Sequence, residues 1–246
     1  KKDLPSLFGM PILLKDNINT ANMPTTAGAA ILENHVPDED AFVVKQLKDK
    51  GALILGKVNL SEWAYYFCDG CPVGYSAVGG QTLNPYGRKI FETGGSSSGS
   101  AVAVAANYAV AALGSETSGS ILSPSSQNAI VGLKPTIGLV SRTGIVPISS
   151  TLDTSGPMTK SIVDNAILLD AIAAPDAQDA ITKRVPRIMS LTDSYVEPSL
   201  SGVRLGAMTN ILAADSLYRK AVEDLRAAGA EVIEFTPEKT ALTGFS

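Results

Sequence analysis

The stretch GGSSSGSAVAVAA, residues 94–106, sets four serines and three glycines against an apolar, helix-forming run. Serines packed this way could cradle phosphate, carry a nucleophile at an elbow, or do something less familiar. A phosphate loop G-x-x-x-x-G-K-[ST] finds its glycines at Gly94 and Gly99, but Ser100 stands where a lysine must neutralise the phosphate. The phosphate reading fails on its one charged residue. A nucleophile elbow G-x-S-x-G is satisfied from Gly95 to Gly99, yet its usual chain order is serine, acid, histidine. The sole histidine, His35, precedes the loop and sits in the polar run ENHVPDED, where a solvated surface position is expected.

Without histidine, a serine can still be activated by a neutral lysine. The S-x-x-K arrangement occurs at no serine of this chain, so a base has to come from elsewhere. Lys15 is the best candidate, because it ends the apolar run Pro11, Ile12, Leu13, Leu14. Burial at that strand end would disfavour the ammonium form and lower the pKa. The plain alternative is a lysine that snorkels from a strand end with its charge in water. Residue types leave both readings open. Cys68 and Cys71 form a C-D-G-C pair, and with one histidine in the chain a closed four-ligand zinc site would need carboxylates. A redox pair or local disulfide stays open, and a structural role is expected because no strand–CxxC–helix context surrounds it.

These residues need a scaffold. Residues 8–14 (FGMPILL) predict a buried strand ending at Lys15. Residues 41–50 carry Phe42, Val43, Val44 and Leu47 at helical spacing, with Gly51 as the natural stop. ALILGKVN predicts the next strand, and residues 68–95 a long structured loop. Residues 98–113 predict a helix of small side chains, followed to residue 157 by Gly, Ser, Thr and Pro with short apolar segments such as AIVGL and GIVPI. A helix is expected over 161–173, then a polar connector to about residue 201. A strand (GVRLGAM), a helix over 216–228, Gly229 and a strand (EVIEF) close the chain. Helices alternating with short apolar strands predict an α/β fold, a mixed and largely parallel twisted sheet flanked by helices on both faces.

Composition bounds the function. The chain is 45% hydrophobic and 18% charged, with a formal charge of −4. Nothing in that balance suggests a nucleic-acid partner. The longest apolar stretch, residues 101–113, is interrupted by Asn107 and falls short of the ~20 residues a bilayer span needs, so no membrane association is expected. The N-terminal KKDLPSLFGM has no hydrophobic signal core, which favours a cytoplasmic over a secreted protein.

Lys15 in GMPILLKDN, the GGSSSGS loop and the run GSETSGSILSPSSQNAIVGLKPT together resemble the amidase signature family of serine hydrolases. The resemblance runs from about Leu7 to Met158 and continues more weakly through the closing strand–helix–strand unit. KVNLSEWA, GGQTLNPY and GLVSRTGIVPIS are most similar to bacterial peptide amidases and their relatives. Glutamyl-tRNA amidotransferase A subunits usually carry Met-Asp-Glu-Phe where this chain has Leu60-Ser61-Glu62-Trp63.

The resemblance implies a Ser–cis-Ser–Lys triad. Lys15 matches its base, Ser96 its bridging serine after a cis Gly95–Ser96 bond, and Ser120 its nucleophile. The two serines lie 24 positions apart, as the family spaces them. The backbone amides of Thr117, Ser118, Gly119 and Ser120 would form the oxyanion hole, each such donor contributing ~3 kcal/mol to the transition state. Ser118 replaces the family's usual glycine or aspartate, which should alter the pocket lining more than the chemistry. Ser97, Ser98 and Ser100 are expected to cap a helix or join a hydrogen-bond network. Arg142 and Asp153 would support the site, and Trp63 would line the pocket or sit in a core or interface.

The implied activity is hydrolysis of a small-molecule or peptide amide through an acyl-enzyme, with no metal or organic cofactor, and a homodimer is compatible with it. The family usually has helices before the lysine strand and a long second portion. A single amidase-type domain over 1–246, truncated at both ends, is therefore expected. Two other readings remain: an A-type component of a glutamyl-tRNA amidotransferase, and a truncated, inactive scaffold.

Overall fold

A lysine buried at the end of a β-strand is tolerable only if its amine finds hydrogen-bond partners. The structure, a computed structural model, describes residues 4–67, 70–186, 190–192 and 199–237. The chain divides into two compact units, residues 1–194 and 195–246.

The first unit is built on a five-stranded sheet. Strand β1 (Pro11–Lys15) is followed by helix α1 (Phe42–Asp49) and strand β2 (Leu53–Val58). Two residue pairs, β3 (Tyr75–Ser76) and β4 (Gly80–Gln81), form a small antiparallel ribbon inside the long loop. Helix α2 (Ser98–Ala105), strand β5 (Ala111–Glu116), helix α3 (Leu122–Gln127), strand β6 (Val131–Gly132), strand β7 (Thr154–Thr159) and helix α4 (Ile162–Ile172) complete the unit. The strand order is β2-β1-β5-β7-β6. Strand β1 runs parallel to both β2 and β5, whereas β7 is antiparallel to β5 and to β6.

Alternation along β1 explains why helices cover both faces. Ile12 and Leu14 pack with Val43, Val44 and Leu47 of α1 and Leu168, Leu169 and Ile172 of α4. Leu13, pointing the other way, packs with Ala103 and Val104 of α2 and with Ala112 of β5. Each fully buried leucine there contributes roughly 1.5–3 kcal/mol. Lys15 follows Leu14 and so shares the face of Leu13, the face that α2 covers. Residues at the start of α2 therefore stand over the lysine.

Local signals set several boundaries. Helix α1 ends where expected, with Gly51 at φ +84°. Helix α4 begins at Ser161, whose hydroxyl accepts from the Asp164 N–H (3.1 Å) and donates to the Asp164 carboxylate (2.7 Å). Three expectations need correction. The strand expected over 8–14 starts only at Pro11: residues 6–9 form a turn, and Phe8 is 61% exposed. The helix expected over 98–113 stops at Ala105. Asn107 adopts φ +64°, and the N–H groups of Asn107 and Tyr108 return to the carbonyls of Val104 and Ala103, the hydrogen-bond pattern of a left-handed helix cap. Residues 111–113 are strand. Finally, the segment TSGPMT, whose composition reads as loop, is the fully buried strand β7.

In the second unit, strand β8 (Arg204–Met208) pairs in parallel with β9 (Glu231–Phe235) through a crossover containing α5 (Thr209–Ala214) and α6 (Ser216–Ala227). The Asp215 carboxylate caps α6 by accepting the N–H groups of Leu217 and Tyr218. The short α5 lies between the expected strand and helix and has no signal of its own in the sequence. Among the described residues no helix is long and apolar enough to cross a membrane.

Candidate active site

The parallel register Leu14↔Leu113 and the antiparallel register Glu116↔Thr154 bring the carboxyl ends of β1 and β5 and the start of β7 to one rim of the sheet. In open α/β sheets that rim is where ligands bind. Lys15, Ser115, Glu116 and Thr154 all stand there.

Lys15 is completely buried. Its Nζ hydrogen-bonds Ser96 Oγ at 2.7 Å and the Ser115 carbonyl at 3.0 Å. Burial pushes the amine down from its ordinary value to about 7, against the opposing pull of the Glu116 and Asp153 carboxylates. A lysine so placed is substantially neutral near pH 7 and can accept a proton. Snorkelling is excluded by the burial.

Ser96, 1% exposed, follows a cis Gly95–Ser96 peptide bond just before α2. Two of its neighbours, Ser97 and Ser100, join a network rather than cap the helix, while the buried Ser98 hydroxyl has no partner among the described residues. Ser97 stands immediately before α2, yet its hydroxyl donates to the Ser115 carbonyl (3.1 Å) instead of capping the helix. Ser100 donates to the Leu113 carbonyl (3.0 Å). The serines thus stitch the start of α2 onto β5. Small side chains make this possible: a Cβ at Gly99 would stand 2.5 Å from the Asn59 carbonyl oxygen.

Ser120 lines the same cavity as Ser96, a depression of about 290 Å³ also bordered by Asn17, Glu116, Thr117 and Arg142. The Ser97 N–H donates to the Ser120 carbonyl at 3.1 Å, holding the two serine segments side by side. Lys15 and Ser96 are joined directly, whereas among the described residues the Ser120 hydroxyl makes no hydrogen bond. Such contacts often tighten only when substrate is bound. A larger depression of about 900 Å³ borders α4, but its carboxylate, Asp170, is engaged by Leu191 and Thr192.

Residues 117–120 are a turn with Gly119 at φ +81°. The N–H groups of Thr117, Ser118 and Ser120 meet no acceptor among the described residues, whereas the Gly119 N–H donates to Glu116 Oε1 at 2.8 Å. The Gly119 amide is thereby engaged within the protein. Thr117 donates its hydroxyl to Asp153 (2.5 Å), and Asp153 also accepts from the N–H groups of Ile148 and Ser149, tying the turn to the opposite wall. Arg142 is held by Asp179 through two side-chain hydrogen bonds (2.9 and 2.7 Å) and donates to the Ser150 carbonyl. Trp63 stacks edge-on against Phe67, while its neighbour Ala64 borders the cavity. His35 is exposed. Cys68 lies outside the described residues; the Cys71 carbonyl accepts from the Tyr65 hydroxyl.

Two residues of the site, Glu116 and Asn17, are not among those the sequence singles out. Asn17 donates to Ser115 Oγ at 2.8 Å beside Lys15. Glu116 had a signal: it is the one charged residue between Glu92 and Lys134.

A family model described as Amidase matches residues 1–243. A probable amidase of Arabidopsis thaliana is 45% identical over 94% of the chain. The glutamyl-tRNA(Gln) amidotransferase A subunit of Rippkaea orientalis is 42% identical over 94% of the chain. The crystal structure of native peptide amidase from Stenotrophomonas maltophilia superposes with a TM-score of 0.89 at 48% identity, covering 94% of this chain and 48% of that one. The chain spans 45% and 48% of the two curated relatives, about half their length.

Proposed function

The chain belongs to the Amidase family, and on that premise we propose that the protein hydrolyses a carboxamide, with Ser120 as nucleophile, Ser96 as proton bridge and Lys15 as base. The observation that carries this reading is a fully buried, easily neutralised lysine bonded to a serine that shares a small cavity with a second, unbonded serine. Ser120 Oγ attacks the carbonyl carbon and forms a C–O bond, its proton passing through Ser96 to Lys15. The oxyanion is received by the free amides of the 117–120 turn, those of Thr117, Ser118 and Ser120. Gly119, expected to join them, serves by its backbone conformation. As the C–N bond breaks, the Lys15 proton returns through Ser96 to the leaving nitrogen, and ammonia or an amine departs. Water then adds to the acyl carbon by the same relay, releasing the acid and restoring the Ser120 hydroxyl.

The family match over residues 1–243 supports reading both units as parts of one amidase-type domain. The substrate is a small-molecule or peptide amide. A fluorophosphonate probe followed by peptide mapping tests the assignment: the label is expected on Ser120 and should be lost in Lys15→Ala. A label elsewhere, or full labelling without Lys15, would sink it. The likeness to amidotransferase A subunits supports a second reading, in which the same site releases ammonia from glutamine for a partner. That reading predicts glutaminase activity that appears only with partner proteins, together with a stable complex on gel filtration. An intact protein with neither label nor hydrolysis would instead be an inactive scaffold.

A further inference from the structure

Glu116 ends β5 and is 4% exposed. A carboxylate this deeply buried is costly unless both of its oxygens are hydrogen-bonded. They are: Oε1 accepts the Gly119 N–H at 2.8 Å, and Oε2 accepts those of Ile121 (2.6 Å) and Leu122 (3.0 Å). The three donors bracket Ser120, one residue before it and two after. The one amide within the bracket that Glu116 does not take belongs to Ser120 itself.

We propose that Glu116 is a positioning residue of the hydrolytic site: its carboxylate clasps the chain on both sides of Ser120 and so fixes where the nucleophile and the unbonded amides point. The inference rests on the amidase reading above. An ionised carboxylate is suited to the task because it only accepts hydrogen bonds and offers about four lone-pair sites. A glutamine of the same size would turn its NH2 group toward one of these N–H groups and lose at least one bond. Glu116 also borders the cavity and shares the sheet face of Ala112, the face on which Lys15 lies. Two carboxylates act on the buried Lys15 amine, Glu116 more strongly than Asp153, and both favour its protonated form. One side chain thus holds the nucleophile turn and biases the base.

A carboxylate that merely capped the first turn of α3 would affect stability alone. The test follows the rate of Ser120 labelling by a fluorophosphonate against pH in the full chain, for the native protein, Glu116→Gln and Glu116→Asp, with Tm measured for each. Glu116→Gln is expected to lower the plateau rate about tenfold or more. Its acid limb should move to lower pH, because loss of the negative charge leaves the burial of Lys15 less opposed. Glu116→Asp keeps the charge but shortens the reach, so its plateau should fall while its acid limb stays in place. A native plateau rate in folded Glu116→Gln overturns the proposal. So does a rate loss with the acid limb unmoved or raised, or a failure of both variants to fold. If the native protein is not labelled at Ser120, the amidase reading itself fails, and this inference with it.

Discussion

The two serine- and glycine-rich segments, GGSSSGS (94–100) and GSETSGS (114–120), are similar in composition and opposite in how they are held. In the first, hydroxyls do the holding: Ser96 bonds Lys15, while Ser97 and Ser100 bond carbonyls of β5. Everything from Ser97 to Ser100 is buried. In the second, main-chain amides are held by a carboxylate, Ser118 is exposed, and the Ser120 hydroxyl is left unbonded among the described residues. A serine locked into a network has lost the freedom a nucleophile needs but is well placed to relay a proton. A serine on a clasped turn keeps its hydroxyl for substrate. Similar composition thus supports two roles, and the difference lies in which groups satisfy the backbone.

The sharpest way to break this contrast is Ser96→Ala. The relay reading expects the acylation rate at Ser120 to fall by about 10²–10⁴, with the protein still folded; a native labelling rate would erase the division of roles. Next comes pH. If Lys15 is the base, activity requires its neutral amine, and the rate should decline as pH falls through about 7, following protonation of Lys15; an acid limb near the ordinary lysine value would show that the amine is hydrated in solution.

Stability should also separate the segments. Gly99→Ala pushes a Cβ to 2.5 Å from the Asn59 carbonyl oxygen and 2.6 Å from its nitrogen, neither of which can yield cheaply. Overpacking of this kind costs ~1–3 kcal/mol. Gly119→Ala meets nothing within 4 Å and bears only the strain of φ +81°, about 1 kcal/mol. Thermal unfolding should therefore show the larger Tm loss at position 99, and the reverse order would mean that the first segment yields more readily than its packing implies. An effect as small as that of Gly119→Ala belongs to Ser97→Ala, which removes the bond to the Ser115 carbonyl and costs ~1 kcal/mol in denaturant titration.

Much was legible in the residues alone. The ends of α1 and α4 are written in Gly51 and Ser161, because caps and turns depend on a few adjacent residues. The apolar run before Lys15 and the absence of a usable histidine pointed to a lysine base, though solvent exposure of that lysine stayed open until its neighbours were seen. Other features were decided only by tertiary structure. The small-residue run after Ser98 suits either helix or strand, and the break at Asn107 depends on where β5 must pair. Strand β7 carries glycine and proline that read as loop; its strand form comes from pairing with β5 on one side and β6 on the other. The bond between Lys15 and Ser96 joins residues 81 positions apart, and the Glu116 carboxylate takes the Gly119 amide, which the family resemblance would leave to an oxyanion. Local chemistry chose the turns, the caps and the reactive groups. Which groups meet, and which donors stay free, follows from sheet register and burial, where distant segments compete for the same hydrogen bonds.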